Sequence, residues 1–168
     1  MSKLLATRGV QRNLVAEFVF NYNDWATDSV SLVKTTFGST VAVADPSSAV
    51  SGLTAGTGII FDCIPMPMGA VITGGAVIVE TAFVGIGAAA LLNVGIAGNT
   101  SALISALDLD AAAAGSRTPL ILTAPLLCNN GQNIRLTTSG LTATATAGKV
   151  RVRVDYTIDG KQDEVVTA

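Results

Sequence analysis

The sequence predicts an all-β fold, an antiparallel β-sandwich of jelly-roll type, and three observations carry that expectation. Short runs rich in Val, Ile, Leu and Thr recur at spacings of about 8–15 residues, separated by Gly, Pro, Asn and Ser, the pattern of sandwiches and barrels. Several runs alternate apolar and polar residues with period two, most strictly at the C-terminal end. Helical periodicity is almost absent, so no crossover is long enough to join parallel strands, and the pairing must be antiparallel. With eight to ten strands expected the spacing fits a sandwich or a barrel; a jelly roll is the commonest eight-stranded double-sheet solution, but spacing does not fix the topology.

Taken in order, residues 14–20 place Leu14, Ala16, Phe18 and Phe20 on one side and Glu17 on the other, a half-buried strand. The β-branched run 30–37 predicts a second strand, and Gly38-Ser39-Thr40 turns it into Val41-Ala42-Val43. Residues 45–58, mostly Ser, Pro, Gly, Ala and Thr, predict a loop. Residues 59–64 form a short apolar run stopped by Pro65 and Pro67; each proline removes a ladder donor, so this is an edge strand or a connection. Residues 70–83 read as one long strand, or two joined at Gly74-Gly75, with a bulge as the simplest account of the glycine pair. Residues 91–97 and 102–109 flank Gly98-Asn99 and predict a hairpin. Four consecutive alanines give 106–114 the chain's one stretch of helical propensity, with Gly115 to end it, although a loop fits there too. Short strands follow at 120–123 and 133–138. Last, 149–158 sets Val150, Val152, Val154, Tyr156 and Ile158 against Lys149, Arg151, Arg153, Asp155 and Thr157, and Asp159-Gly160 closes it with a turn.

At 168 residues the chain fits one domain with a sizeable core. We divide it into an N-terminal arm at 1–12, which lacks strand periodicity, and a sandwich domain at 13–168. Charged residues make up 13% of the sequence, about half the usual share, and hydrophobic residues 49%. That composition excludes disorder and predicts that some apolar surface meets neighbouring chains. The net charge of −2 supplies no basic field for a phosphate backbone, so nucleic acid is not an expected partner. The uncharged stretch 81–107 is interrupted by Asn93, Gly95 and Gly98-Asn99 and lacks basic flanks, so no membrane span is expected. The N-terminus meets Arg12 and Glu17 before an apolar core forms, so no signal peptide is read and synthesis in the cytoplasm is expected. Cys63 and Cys128 stand far apart beside apolar residues and are expected as buried free thiols, with a single long-range disulfide as the alternative.

No site for chemistry stands out. The chain contains no histidine, which removes the Ser-His-Asp triad, the Cys-His pair and imidazole metal sites. Gly85-Ile86-Gly87-Ala88-Ala89-Ala90 matches the dinucleotide-binding glycine pattern, with Asp108 and Asp110 downstream. It lacks the following helix and parallel strand, so a glycine-rich loop between antiparallel strands is the better reading. Asp108-x-Asp110 could offer oxygen ligands to calcium, but a solvated loop is the simpler expectation. Glu80 falls on the solvent side of its strand. The single tryptophan, Trp25, lies in the polar turn Asn23-Asp24-Trp25, where it either caps an edge of the sandwich by packing or stacks on a ligand. Neither catalysis nor a cofactor or metal is expected.

One resemblance extends from about Phe61 to Ile158. Its residues are Ile64-Pro65-Met66-Pro67-Met68-Gly69-Ala70-Val71-Ile72-Thr73-Gly74-Gly75, then Val79-Glu80-Thr81-Ala82-Phe83 and Leu92-Asn93-Val94-Gly95. Thr144-Ala145-Thr146-Ala147-Gly148-Lys149-Val150-Arg151-Val152-Arg153-Val154-Asp155-Tyr156 completes it. In these segments the chain resembles virion structural proteins of tailed bacteriophages, jelly-roll capsid decoration (cement) proteins among them. The resemblance implies a non-enzymatic protein that binds the major capsid protein on the capsid exterior as a homotrimer and stabilises the head lattice. Lys3, Arg8 and Arg12 on the arm, together with Trp25, are the candidate partner-binding residues. A tail or fibre adaptor is the alternative within the same class, and a carbohydrate-binding module resting on Trp25 the alternative outside it.

Overall fold

The structure is a computed structural model. It describes residues 13–29, 32, 34–38, 59–122, 124, 126–128 and 131–158. Within them the chain is all-β, with antiparallel pairing throughout. A five-stranded sheet takes β1 (Leu14–Asn21), β11 (Ala147–Ile158), β5 (Ala70–Val84) and β8 (Arg117–Pro119) in that order, with β9 (Leu126–Cys128) beside the other end of β5. A four-stranded sheet takes β4 (Ile60–Pro65), β10 (Asn133–Ser139), β6 (Leu91–Ile96) and β7 (Asn99–Asp108). β2 (Trp25–Thr27) and β3 (Lys34–Thr36) form a separate two-stranded ribbon.

The inner faces of the two large sheets share one core in a sandwich-like arrangement. Val150, Val152 and Val154 of β11 and Ile72, Val77 and Val79 of β5 belong to it, as do Leu92 and Val94 of β6 and Ile134 and Leu136 of β10. The C-terminal alternation is therefore real, and it belongs to a central strand: β11 lies between β1 and β5. An aromatic cluster at the edge of this core ties together β1, β4 and the residue after β3. Phe20 stacks on Phe37 at 4.1 Å between centroids, Phe37 meets Phe61 edge-on at 5.3 Å, and Phe18 lies 5.5 Å from Phe61. Such pairs contribute about 0.5–1.5 kcal/mol each beyond the area they bury.

Strand β5 is continuous, and its glycine pair marks an irregularity as expected. The register against β11 slips between Asp155 and Tyr156, opposite Gly74 and Ile72. Gly75 has φ +139°, and a side chain there would run into the Arg153 carbonyl and lie 2.8 Å from Leu120 Cδ1. β4 is an edge strand, as Pro65 and Pro67 require. Its free side is stitched by the segment after β2: Ser29 N–H donates to Ile60 O (2.6 Å), and Ile60 N–H donates to Asp28 Oδ2 (2.6 Å). β6 and β7 form the expected hairpin, with Ile96 paired to Asn99 across Ala97-Gly98.

Several expectations are corrected. Residues 106–114 contain no helix: Ala106 to Asp108 complete β7, Ala106 itself has φ +54°, and turns follow. Ala106 falls in the bulge of β7, between Leu107 paired to Leu92 and Ile104 paired to Val94, and the alanines after the strand lie mostly at the surface with no apolar face that a helix could bury. The strand expected at 120–123 forms three residues earlier, as β8 at Arg117–Pro119; Leu120 instead turns inward over Gly75. In the run 30–37 the described strand is β3 alone. The strand at 41–43, the loop at 45–58 and the turn at Asp159-Gly160 lie outside the described residues, as does the arm at 1–12.

Candidate interaction surface

The outer face of the five-stranded sheet carries the largest set of charged side chains among the described residues. Register alone assembles it, because directly paired residues share a face. One row runs Glu17, Arg153, Ala76, Pro119; the next runs Val19, Arg151, Ile78, Arg117. Val15 lies across from Asp155 and Asn21 from Lys149 at the two ends.

Ion pairs knit the three long strands together. Arg151 donates to Glu80 Oε1 on β5 (Nε, 2.7 Å) and to Glu17 Oε2 on β1 (Nη1, 3.1 Å). Lys149 Nζ lies 2.8 Å from the other oxygen of Glu80, and Arg153 Nε donates to Asp155 Oδ1 at 3.0 Å. The hydrogen bonds from Lys149 and Arg151 hold the Glu80 carboxyl below its ordinary value, and the bond to Glu80 raises Arg151. Glu80 thus stands on the solvent side of its strand as expected. Its pairing with Arg151 joins residues 71 positions apart in sequence, which alternation could not reveal. Arg117 has no ion pair among the described residues. Val15 and Val19 remain 48% and 37% exposed between the charges, so the face is mixed apolar and cationic.

Of the candidate partner-binding residues, Lys3, Arg8 and Arg12 lie outside the described residues. Trp25 is described, and it does not pack: it is 53% exposed, with Lys34 Nζ 5.6 Å from its ring centroid. The physical reason is period two. Ala26 and Thr35 fill the inward side of the ribbon, which turns Trp25 outward. Asp24, its neighbour, is engaged locally, accepting from Asn21 N–H (2.7 Å) and Asn21 Nδ2 (3.0 Å) to turn the chain out of β1. No other aromatic side chain is exposed, so Trp25 is not part of a stacking platform.

The other motifs resolve into local structure. After Gly85-x-Gly87 comes β6 and not a helix; Gly85 and Gly87 have φ +82° and +89°, and a side chain at Gly87 would run into Thr142 Oγ1. The glycine-rich loop joins β5 of the five-stranded sheet to β6 of the four-stranded sheet. Asp108 Oδ1 accepts the N–H groups of Asp110 and Ala111, both at 3.0 Å, closing the turn after β7. Among the described residues no group of three or more His, Cys, Asp or Glu could hold a metal ion, and no helix is long and apolar enough to cross a membrane. Both cysteines are free; Cys128 is buried, whereas Cys63 is half-buried, with its Sγ 3.3 Å from Ile134 O. Burial pushes the Cys63 thiol up to about 12 and raises Cys128 as well, so neither is a ready nucleophile.

No protein-family model matches the chain, and no curated protein sequence does. Among solved structures, a chain described as "Cyanophage Pam1 capsid asymmetric unit" superposes with a TM-score of 0.57 at 19% identity, covering 94% of each chain. The fold is shared with a phage capsid component. At that identity the likeness speaks for the fold alone, and it spans nearly the whole length of both chains.

Proposed function

We propose that this chain is a bacteriophage capsid decoration, or cement, protein that binds the assembled head lattice from outside and stabilises it. The observation that carries the reading is the near end-to-end fold match with a component of a phage capsid. The sequence resemblance to tailed-phage virion proteins over residues 61–158 points the same way on independent grounds. A scaffold role also suits a chain without histidine in which most of the described acidic and basic groups are engaged in cross-strand pairs and turns. In this reading the partners are the major capsid protein and further copies of the chain, arranged as a homotrimer. The arm at 1–12 contributes to attachment through Lys3, Arg8 and Arg12.

Mixing the purified chain with heads assembled without it tests the proposal. Co-sedimentation with heads, added density on their exterior by electron cryomicroscopy and a raised temperature of head disruption are the expected results. Partition with purified tails and not with heads would replace the reading by that of a tail or fibre adaptor. Sedimentation of the free protein as a 17.0 kDa species at micromolar concentration would overturn the trimer. Deleting residues 1–12 should weaken binding and leave the fold intact; equal binding at low and high salt would remove the arm from attachment.

A further inference from the structure

We propose that the outer face of the five-stranded sheet is the docking face, and that it fits an acidic protein surface; this rests on the head-binding reading and names the side of the molecule that makes the contact. Charge distribution is the first argument. Of the six cations among the described residues, Arg117, Lys149, Arg151 and Arg153 stand on this face, and only Lys34 and Arg135 lie elsewhere. Of the eight described acids, Glu17, Glu80 and Asp155 are here, whereas Asp24, Asp28, Asp62, Asp108 and Asp110 are elsewhere. A chain of net charge −2 thus presents one face of excess positive charge, and the rest of its described surface is acidic.

The second argument is how that charge is held. The three acids of the face each sit in an ion pair with Lys149, Arg151 or Arg153, which fixes those cations against the sheet. Arg117 remains as the surplus charge, exposed at the β8 edge and directly across Ile78 from Arg151. A guanidinium can meet a partner carboxylate with two parallel bonds, and three of the four cations here are arginines. The third argument is the apolar content. Val15 and Val19 stand exposed between the charges, and arginine, the commonest cation of this face, is enriched at protein interfaces. Positive potential over that area steers an acidic partner and fixes its orientation, while the aliphatic groups hold it once docked.

Full-length protein, undecorated heads and three variants decide the matter: Arg117→Glu, Val19→Glu and, on the ribbon away from this face, Lys34→Glu. Arg117→Glu removes no ion pair among the described residues and should leave melting temperature and oligomeric state unchanged. It should weaken head binding at least tenfold, with a shallower dependence on salt than the wild type shows. Val19→Glu should weaken binding comparably, and Lys34→Glu should bind like wild type. Wild-type binding that both face variants retain would overturn this face while leaving the head-binding reading intact. No binding by the wild type would overturn both. A change in sedimentation of the free Arg117→Glu protein would assign the face to contacts between copies of this chain and overturn the acidic-lattice proposal.

Discussion

The two large sheets are built by different rules. In the five-stranded sheet the central strand β11 keeps Val150, Val152 and Val154 fully buried and sends Lys149, Arg151 and Arg153 outward, where Glu17 and Glu80 on the flanking strands receive them. In the four-stranded sheet burial alternates along β10 but breaks down in the β6–β7 hairpin. Val94, Gly95 and Ile96 are buried in succession on β6, and Leu103 and Ile104 on β7. Part of the cause is the hairpin itself, whose bulged register brings Asn99 and Thr100 against Gly95, and part is the chain after β8, which lends Ile121 N–H to Leu103 O. Its one ion pair, Arg135 with Asp62 at 2.6 Å, sits toward the β4 edge. A regular strand with solvent on one side can be read from its charges, whereas a bulged hairpin buries consecutive residues and hides its period.

The sharpest break in this comparison is a charge placed inside the first sheet. Val152→Asp puts an unpaired carboxylate among fully buried valines and should cost several kcal/mol, whereas Arg153→Ala, on the opposite side of the same strand, should cost less than about 1 kcal/mol. Urea melts of the two variants check the facing, and the reverse order would refute it.

Next in size is the bulge in β5. Gly75→Ala forces a Cβ onto the Arg153 carbonyl at φ +139° and should lose more than about 2 kcal/mol. Gly98→Ala in the hairpin of the other sheet has φ +89° but open space around it, and should lose only about 1 kcal/mol. Thermal melts that rank them the other way would show that the β5 bulge is not the tighter site.

The ion pair of the second sheet should matter through pH. The hydrogen bond from Arg135 holds the Asp62 carboxyl below its ordinary value of 3.8. A carboxyl depressed by folding adds stability above its unfolded pKa and loses it as pH falls through the folded value. Arg135→Ala should therefore destabilise by about 1–2 kcal/mol near neutrality, for a partly exposed charged hydrogen bond. The gap to wild type should narrow below about pH 4. A gap of constant size from pH 7 to pH 3 in denaturant titrations would assign the loss to packing.

The smallest effect is expected in β7. Ala106 has φ +54° and donates its N–H to Asn93 Oδ1 at 2.7 Å. Ala106→Gly relieves about 1 kcal/mol of left-handed strain and offsets it with a similar gain in unfolded-chain entropy, leaving stability within about 0.5 kcal/mol. Ala102→Gly, at an ordinary position of the same strand, should lose about 0.5–1 kcal/mol. Equal losses at both sites, measured by chemical denaturation, would remove the strain from Ala106.

What was legible in the sequence follows the same divide. The β1 and β11 alternation, the glycine irregularity in β5, the proline-limited β4 edge and the Gly98 turn are consequences of local backbone chemistry, which the residues themselves carry. β2, β8 and β9 were not legible, because three-residue strands hold no period and exist only where a neighbour offers an edge. The alanine run illustrates the limit from the other side: helical propensity of a few tenths of a kcal/mol per residue yields to the turn that Asp108 closes on Asp110 and Ala111 and to the bond from Gly115 N–H to Val79 O. So the sequence by itself determined the fold class and which side of its most regular strands meets solvent, because apolar burial with period two is a local signal. The tertiary structure alone decided that Glu17, Arg151, Glu80 and Arg117 share one face, since strands distant in the chain become neighbours only through long-range register. It also decided that Trp25 is exposed, since that depends on which side of a three-residue ribbon the core happens to cover.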